Sequence, residues 1–69
     1  MVEVFKTNVN RVDQSEILIK QLLSHFPGSK INFDLEDCDK ILRIEAEHIA
    51  QHSIIAVLNE HGFNAEVLI

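Results

Sequence analysis

Apolar and polar residues alternate over three short segments of the chain, and a fourth segment, at the N-terminus, contains the β-forming residues Val2, Val4, Phe5 and Val9, which fit no helical period. This pattern predicts four β-strands. The segments are residues 2–9, 31–35, 41–46 and 63–69. Because successive side chains of a strand point to opposite faces, a period of two is typical of strands with one buried and one solvated face. In the last segment, Ala65, Val67 and Ile69 share the predicted buried face.

A first helix is predicted over about residues 14–25. Its core-facing stripe has the spacing i, i+3, i+4 and i+7 and consists of Ile19, Leu22, Leu23 and Phe26, widened by Ile17 and Leu18. Asp13 is the predicted N-cap, and Glu16 completes a capping box three residues later. The Pro27-Gly28 pair is expected to end the helix, since proline and glycine are typical of residues just beyond a helix C-terminus.

A second helix is predicted over about residues 50–61. Four residues share one of its faces at helical spacing: Ile54, Val57, Leu58 and His61. Gly62 follows as the predicted C′ residue.

The element order is therefore β-α-β-β-α-β. Short connections and right-handed crossovers favour an α+β fold, a ferredoxin-like βαββαβ sandwich. It has a four-stranded antiparallel sheet in the order 4-1-3-2, with two helices on one face. This topology places three connections at the same end of the molecule: the loop between the first strand and the first helix, the turn around Cys38, and the loop that follows the second helix.

Composition narrows the classes of function. Sixty-nine residues form one predicted domain, residues 1–69, and 46% of them are hydrophobic. A net charge of −5 makes nucleic acids and anionic membranes poor partners. The single cysteine, Cys38, forms no internal disulfide, as is usual in the cytosol. The N-terminal residues are too acidic for a signal peptide and no apolar run is long enough to span a bilayer, so we expect a soluble cytoplasmic protein.

Several segments carry a resemblance to a known family. They are Phe5-Lys6-Thr7-Asn8-Val9, Phe26-Pro27-Gly28, Asp39-Lys40-Ile41-Leu42-Arg43-Ile44-Glu45 and Ile54-Ile55-Ala56-Val57-Leu58-Asn59-Glu60-His61-Gly62-Phe63-Asn64-Ala65-Glu66. In this order and spacing the chain resembles the heavy-metal-associated domain, the module of copper chaperones and metal-transporting ATPases. The resemblance implies the same fold, a Cys-x-x-Cys metal site in the first loop, and partner contact through that loop and the start of the first helix.

The chain departs from this family at the metal loop. Counting from the first strand places the two cysteine positions on Arg11 and Gln14, and counting back from Pro27-Gly28 places them on Val12 and Ser15. Cu(I) and Zn(II) in such sites need thiolate ligands. Neither pair supplies one, so we expect these positions to be a degenerate metal loop that does not bind the family's metal.

Other residues offer an alternative metal site. Cys38 and His61 lie at the predicted loop end, together with Asp13. His48 and His52 have the i, i+4 spacing of a helical chelate, although His48 is expected to precede the helix. The simpler interpretation is an exposed cysteine in a turn and histidines at helix ends, and we expect no bound metal.

Motifs for catalysis and for calcium are absent from the sequence. It contains no glycine-rich phosphate loop and no nucleophile elbow. An acidic cluster, made up of Asp34, Glu36, Asp37 and Asp39, lacks the glycine and the spacing of a calcium loop. The sequence therefore predicts no enzyme and no cofactor.

Three functional hypotheses follow. The first is a binding module whose partner is another protein or a second copy, with a contact surface formed by Asn10, Arg11, Val12 and Gln14. The second is a metal-binding protein that uses ligands from His48, His52, Cys38 and His61. The third is a dimer regulated by a small ligand, as in other βαββαβ domains that bind amino acids between subunits.

Overall fold

The computed structural model describes residues 1–68, and the final residue of the last predicted strand, Ile69, lies outside the described residues. Four strands and two helices follow one another in the order β1-α1-β2-β3-α2-β4. Their bounds are β1 Val2–Thr7, α1 Val12–His25, β2 Lys30–Asp34, β3 Ile41–Glu45, α2 Gln51–Glu60 and β4 Ala65–Leu68. Each element matches a predicted one within two residues at either end.

The sheet has four antiparallel strands in the order β2-β3-β1-β4. This is the predicted order, 4-1-3-2, read from the other edge. The register places Phe5 opposite Leu42 of β3 and Val67 of β4. Since opposite residues share a face of the sheet, these three apolar side chains form a row across its centre.

One apolar cluster joins the sheet to both helices. Its fully buried members include Phe5, Leu42 and Ile44 from the sheet, Leu18 and Leu22 from α1, and Ile54 and Leu58 from α2. The two helices also contact each other. Both helices therefore cover the same face of the sheet, as predicted, and the opposite face is open to solvent.

The stripe predicted for α1 is rotated relative to the one in the structure. Leu18 and Leu22 are fully buried, whereas Ile19 is half-buried and Leu23 is 38% exposed. The apolar run over residues 17–19 and the pair at 22–23 fit two stripes about one residue apart, and periodicity alone does not choose between them. Contact with the sheet selects the stripe centred on Leu18 and Leu22.

The start of α1 also differs from the prediction. The helix begins at Val12, so Arg11 is the N-cap, and its side chain makes no capping hydrogen bond. Asp13 is therefore the second helical residue, and the predicted capping box with Glu16 is wrong. The Asp13 carboxylate still lies in the first turn, where it favours the positive end of the helix dipole.

The end of α2 confirms the predicted role of Gly62. Its φ is +83°, in the left-handed region that favours glycine. The Gly62 N–H donates to Asn59 O over 3.0 Å and the Phe63 N–H donates to Leu58 O over 2.9 Å, which is a complete Schellman motif. His61, predicted to share the apolar face of this helix, is exposed instead, and its Nδ1 lies 2.9 Å from Val57 O. Within residues 1–68, neither helix has the length and apolar character needed to cross a bilayer.

Candidate functional site

Thr7, the last residue of β1, connects the first loop to the β2–β3 turn. Its N–H donates to Asp39 O and Lys40 O over 3.1 and 3.2 Å, and its hydroxyl donates to Lys40 O over 2.5 Å. Lys40 has a φ of +49°, so this carbonyl is presented from a left-handed turn residue. The Thr7 side chain is buried. Sequence analysis did not identify this residue, because its partners are far away in the chain; the one local signal is a threonine at an inward position of a strand.

The first loop is also held from its other side. The Val9 N–H donates to the Thr7 hydroxyl over 3.2 Å, and Val9 itself is fully buried. The Asn8 side-chain carbonyl accepts from the N–H of Asn64, in the α2–β4 loop, over 2.8 Å. The three connections predicted to share one end of the molecule are thus joined by hydrogen bonds, and the loop before α1 is fixed in position.

Arg11 and Asp13 form a bidentate ion pair at the start of α1. The Arg11 Nε and Nη2 atoms donate to the two Asp13 carboxylate oxygens over 3.0 and 2.7 Å. Asp13 Oδ1 also accepts from the Gln14 N–H over 3.0 Å. Both charged groups are exposed, so the pair stabilises the fold by no more than about 1 kcal/mol. Its main effect is to hold the guanidinium group against the first turn.

The four degenerate metal-loop positions differ in accessibility. Arg11 is exposed, and Val12 is 66% exposed. Ser15 is 6% exposed, and its hydroxyl donates to Val12 O over 2.7 Å. Gln14 is half-buried. Of the two pairs considered above, Arg11 with Gln14 is therefore the more open to a ligand or partner.

Gln14 carries a buried acceptor without a partner. Its Oε1 atom is buried and accepts no hydrogen bond from any of residues 1–68. Leaving such a group unpaired costs about 1–3 kcal/mol. Asn10, the remaining residue of the predicted contact surface, is exposed.

Two large apolar side chains lie exposed beside this ion pair. Val12 is 66% exposed and Ile17, five residues further along α1, is 54% exposed. The loop before α1 and the first turns of the helix therefore present an apolar and polar surface on a fixed backbone. We call residues 10–17 the helix-start surface.

The alternative metal ligands are not brought together. Among residues 1–68, the ligand atoms of Asp37, Cys38 and Asp39 lie within 4.8 Å of one another, and no His joins this group. Asp37 Oδ1 accepts from the Asp39 N–H over 2.8 Å, and the Asp39 carboxylate lies 3.7 Å from Lys6 Nζ. These carboxylates therefore build the turn, and Cys38 is exposed within it.

His48 and His52 lie near the start of α2. His48 precedes α2, as predicted, and lines a cleft of about 390 Å³ at the opposite end of the molecule, together with Phe26, Pro27, Gly28, Ser29, Ala46 and Glu47. His52 is exposed in the first turn of α2. The i, i+4 spacing thus spans a loop and a helix start, not two turns of one helix. Sequence analysis did not predict this cleft; the Phe-Pro-Gly-Ser turn was its only local signal.

No protein-family model and no curated protein matches this chain.

Proposed function

We propose that this domain is a cytoplasmic protein-interaction or self-association module, built on a ferredoxin-like βαββαβ scaffold that resembles the heavy-metal-associated domain but has lost the thiolate metal site. Its partner is another protein or a second copy of the chain. It acts by binding alone, without catalysis, metal or cofactor.

The observation that carries the proposal is the helix-start surface. Val12 and Ile17 are more than half exposed, and they lie beside a loop that Thr7 and Asn8 fix to two other loops. A surface that is already ordered loses less conformational entropy when it binds. Its exposed apolar residues on a fixed backbone therefore favour the interpretation of the helix-start surface as a docking site for a partner, not as a flexible linker.

Gln14 supports the same surface. Its unpaired Oε1 is a cost that the isolated domain bears. Unsatisfied buried polar groups in native proteins call for an explanation. We propose that a partner supplies the missing donor. Gln14 lies two residues after the exposed Val12, within the helix-start surface.

The chemistry of the loop argues against a thiolate-type metal site. Arg11 brings a positive charge to the first turn, and Asp13 is already engaged by its guanidinium. Soft metals such as Cu(I) need thiolates, and the only cysteine, Cys38, lies in the β2–β3 turn. In the family that the chain resembles, this loop binds the metal; here it contains an ion pair.

Isothermal titration with Cu(I), Zn(II) and Ni(II) tests the loss of the metal site. We expect no binding to the unmodified chain tighter than about 10 µM. The double variant Arg11→Cys/Gln14→Cys is the positive control and is expected to bind one Cu(I), because it restores two thiolates at the more open of the two pairs of positions. Val12→Cys/Ser15→Cys is expected to bind more weakly, since position 15 is buried.

Stoichiometric binding by the unmodified chain that is tighter than about 10 µM would overturn the proposal. The variants Cys38→Ser and His52→Ala would then identify the ligands, because the metal hypothesis requires one of them to abolish binding.

A further inference from the structure

β2 forms one free edge of the sheet. Within residues 1–68 it pairs with β3 alone, so the backbone N–H and C=O groups on its outer side have no strand partner. Such an edge is a template for pairing with another strand. The edge residues are Lys30–Asp34, with the sequence Lys-Ile-Asn-Phe-Asp.

The side chains of β2 separate by charge and face. Ile31 and Phe33 lie opposite Ile44 and Leu42, on the helix-covered face, and both are half-buried. The other three residues lie on the open face and are exposed; in order they are Lys30, Asn32 and Asp34. On the open face of this edge, the charges of successive side chains are therefore positive, neutral and negative.

That order is self-complementary when two copies run antiparallel. A two-fold axis through Asn32 places Lys30 of one copy opposite Asp34 of the other, and this happens twice. On the covered face, Ile31 of one copy meets Phe33 of the other. Opposite charges and apolar side chains at directly opposed positions both stabilise antiparallel pairs.

Neither charge has an ion-pair partner within the described residues. Asp34 Oδ1 accepts from the N–H groups of Glu36 and Asp37 over 3.2 and 3.3 Å. A carboxylate has further acceptor capacity, so these bonds leave Asp34 able to receive a lysine.

The flank of α1 above this edge is also apolar. Val12, Ile19 and Leu23 lie at i, i+7 and i+11, within about 40° of one another around the helix. His25, about 120–160° away by the same geometry, lines a groove with residues of α2. The Val12–Ile19–Leu23 line therefore faces away from α2, on the side of the β2 edge, and two of its members are 66% and 38% exposed.

We propose that two copies of this chain associate through their β2 edges, with a two-fold axis at Asn32, to form one eight-stranded antiparallel sheet. The two α1 flanks lie side by side above the junction and cover each other. The inference deepens the proposed function and rests on its self-association form. The other edge, β4, has no such pattern, because a two-fold axis through Val67 places Glu66 opposite Leu68.

Charge exchange tests this register. Lys30→Asp leaves acids at both edge positions, and Asp34→Lys leaves lysines at both, so each variant repels its own copy. We expect the unmodified chain to form a dimer in sedimentation velocity, and each variant to dimerise at least about tenfold more weakly. An equimolar mixture of the two variants restores both opposite-charge pairs and is expected to form a heterodimer.

A net-charge effect predicts a different result. Asp34→Lys reduces the negative charge of the chain and would strengthen association if overall repulsion governed it. Glu66→Lys makes the same change of charge on the β4 edge and is the matched control, expected to dimerise like the unmodified chain. Circular dichroism verifies that each variant is folded.

Three results would overturn the inference: an unmodified chain that remains monomeric at about 1 mM, variants that dimerise as well as the unmodified chain, or a mixture that stays monomeric. The two tests are independent. The metal titration can be interpreted even if the chain is a monomer, and the charge-exchange experiment can be interpreted even if the unmodified chain binds a metal tightly. Failure of this inference is thus distinguishable from failure of the proposed function.

Discussion

The two helices cover the same face of the sheet but use their apolar residues differently. All four large apolar residues of α2, Ile54, Ile55, Val57 and Leu58, are buried or packed against the core. In α1, Leu18 and Leu22 have the same role, yet Val12, Ile17 and Leu23 are between 38% and 66% exposed. The apolar side chains of α2 thus serve the fold, whereas three of those of α1 lie at the surface.

The difference assigns separate roles to the two helices. A single exposed apolar residue is common on protein surfaces and needs no explanation. Three on one fourteen-residue helix, two of them near a loop that long-range hydrogen bonds fix, are better explained by a contact surface. We interpret α2 as a helix that only packs against the core. We interpret α1 as a helix that packs against the core with one face and exposes apolar side chains for contact with a partner.

Truncation inside the core should affect both helices alike. Leu22→Ala in α1 and Leu58→Ala in α2 each remove a fully buried side chain. We expect each to lower the free energy of unfolding by about 2–5 kcal/mol, through lost burial and a residual cavity. Urea unfolding followed by circular dichroism measures both. A cost below about 1 kcal/mol for Leu22→Ala alone would mean that α1 is not a core helix.

Removal of the Thr7 hydroxyl should loosen the attachment of α1. Thr7→Val keeps the shape but removes the donor to Lys40 O and the acceptor for the Val9 N–H. We expect a loss of about 1–3 kcal/mol in the free energy of unfolding. Thr7→Ser retains the hydroxyl and is the matched control. Equal losses for the two variants would show that the methyl group, not the hydrogen bonds, is what matters.

Replacement of Gln14 should stabilise the isolated domain. Gln14→Met has a similar size and helix propensity and eliminates the unpaired buried Oε1. We expect the free energy of unfolding to rise by about 1 kcal/mol. A decrease of similar size, measured by urea unfolding, would indicate that the amide is satisfied in the native state and would withdraw its support for the helix-start surface.

The smallest effect is expected at the exposed position Ile17. Ile17→Lys and its counterpart in α2, Ala56→Lys, should each change the free energy of unfolding by no more than about 0.5 kcal/mol. Both residues are exposed, so neither change uncovers the core. If Ile17→Lys costs much more than Ala56→Lys in thermal or urea unfolding, Ile17 is a packing residue and the contrast between the helices fails.

Three of the strands could be predicted from the sequence because their alternation is local, and the first because its β-forming residues fit no helical period. Ile31, Phe33, Leu42 and Ile44 face the core as their spacing indicates. The strand order followed from crossover handedness. The end of α2 could also be predicted from the sequence, since Gly62 has the left-handed φ that a C′ residue takes.

The start and the facing of α1 required tertiary information. Consecutive apolar residues at 17–19 and 22–23 allow two stripes, and packing on the sheet selects one. Asp13 has the chemistry of an N-cap, but the fork of Arg11 engages its carboxylate from the position before the helix. The role of Thr7 depends on a carbonyl 33 residues away, which no local pattern reveals.

The most direct measurement of the central claim is site-specific photo-cross-linking on the two helices. The photoreactive residue p-benzoylphenylalanine replaces Val12 in one protein and Ala56 in another, and each is irradiated in an extract of the source organism and as purified protein. The account predicts a discrete adduct from position 12, to another protein or to a second copy identified by mass, and none from position 56. Equal adducts from both positions, or adducts from position 56 alone, would contradict it.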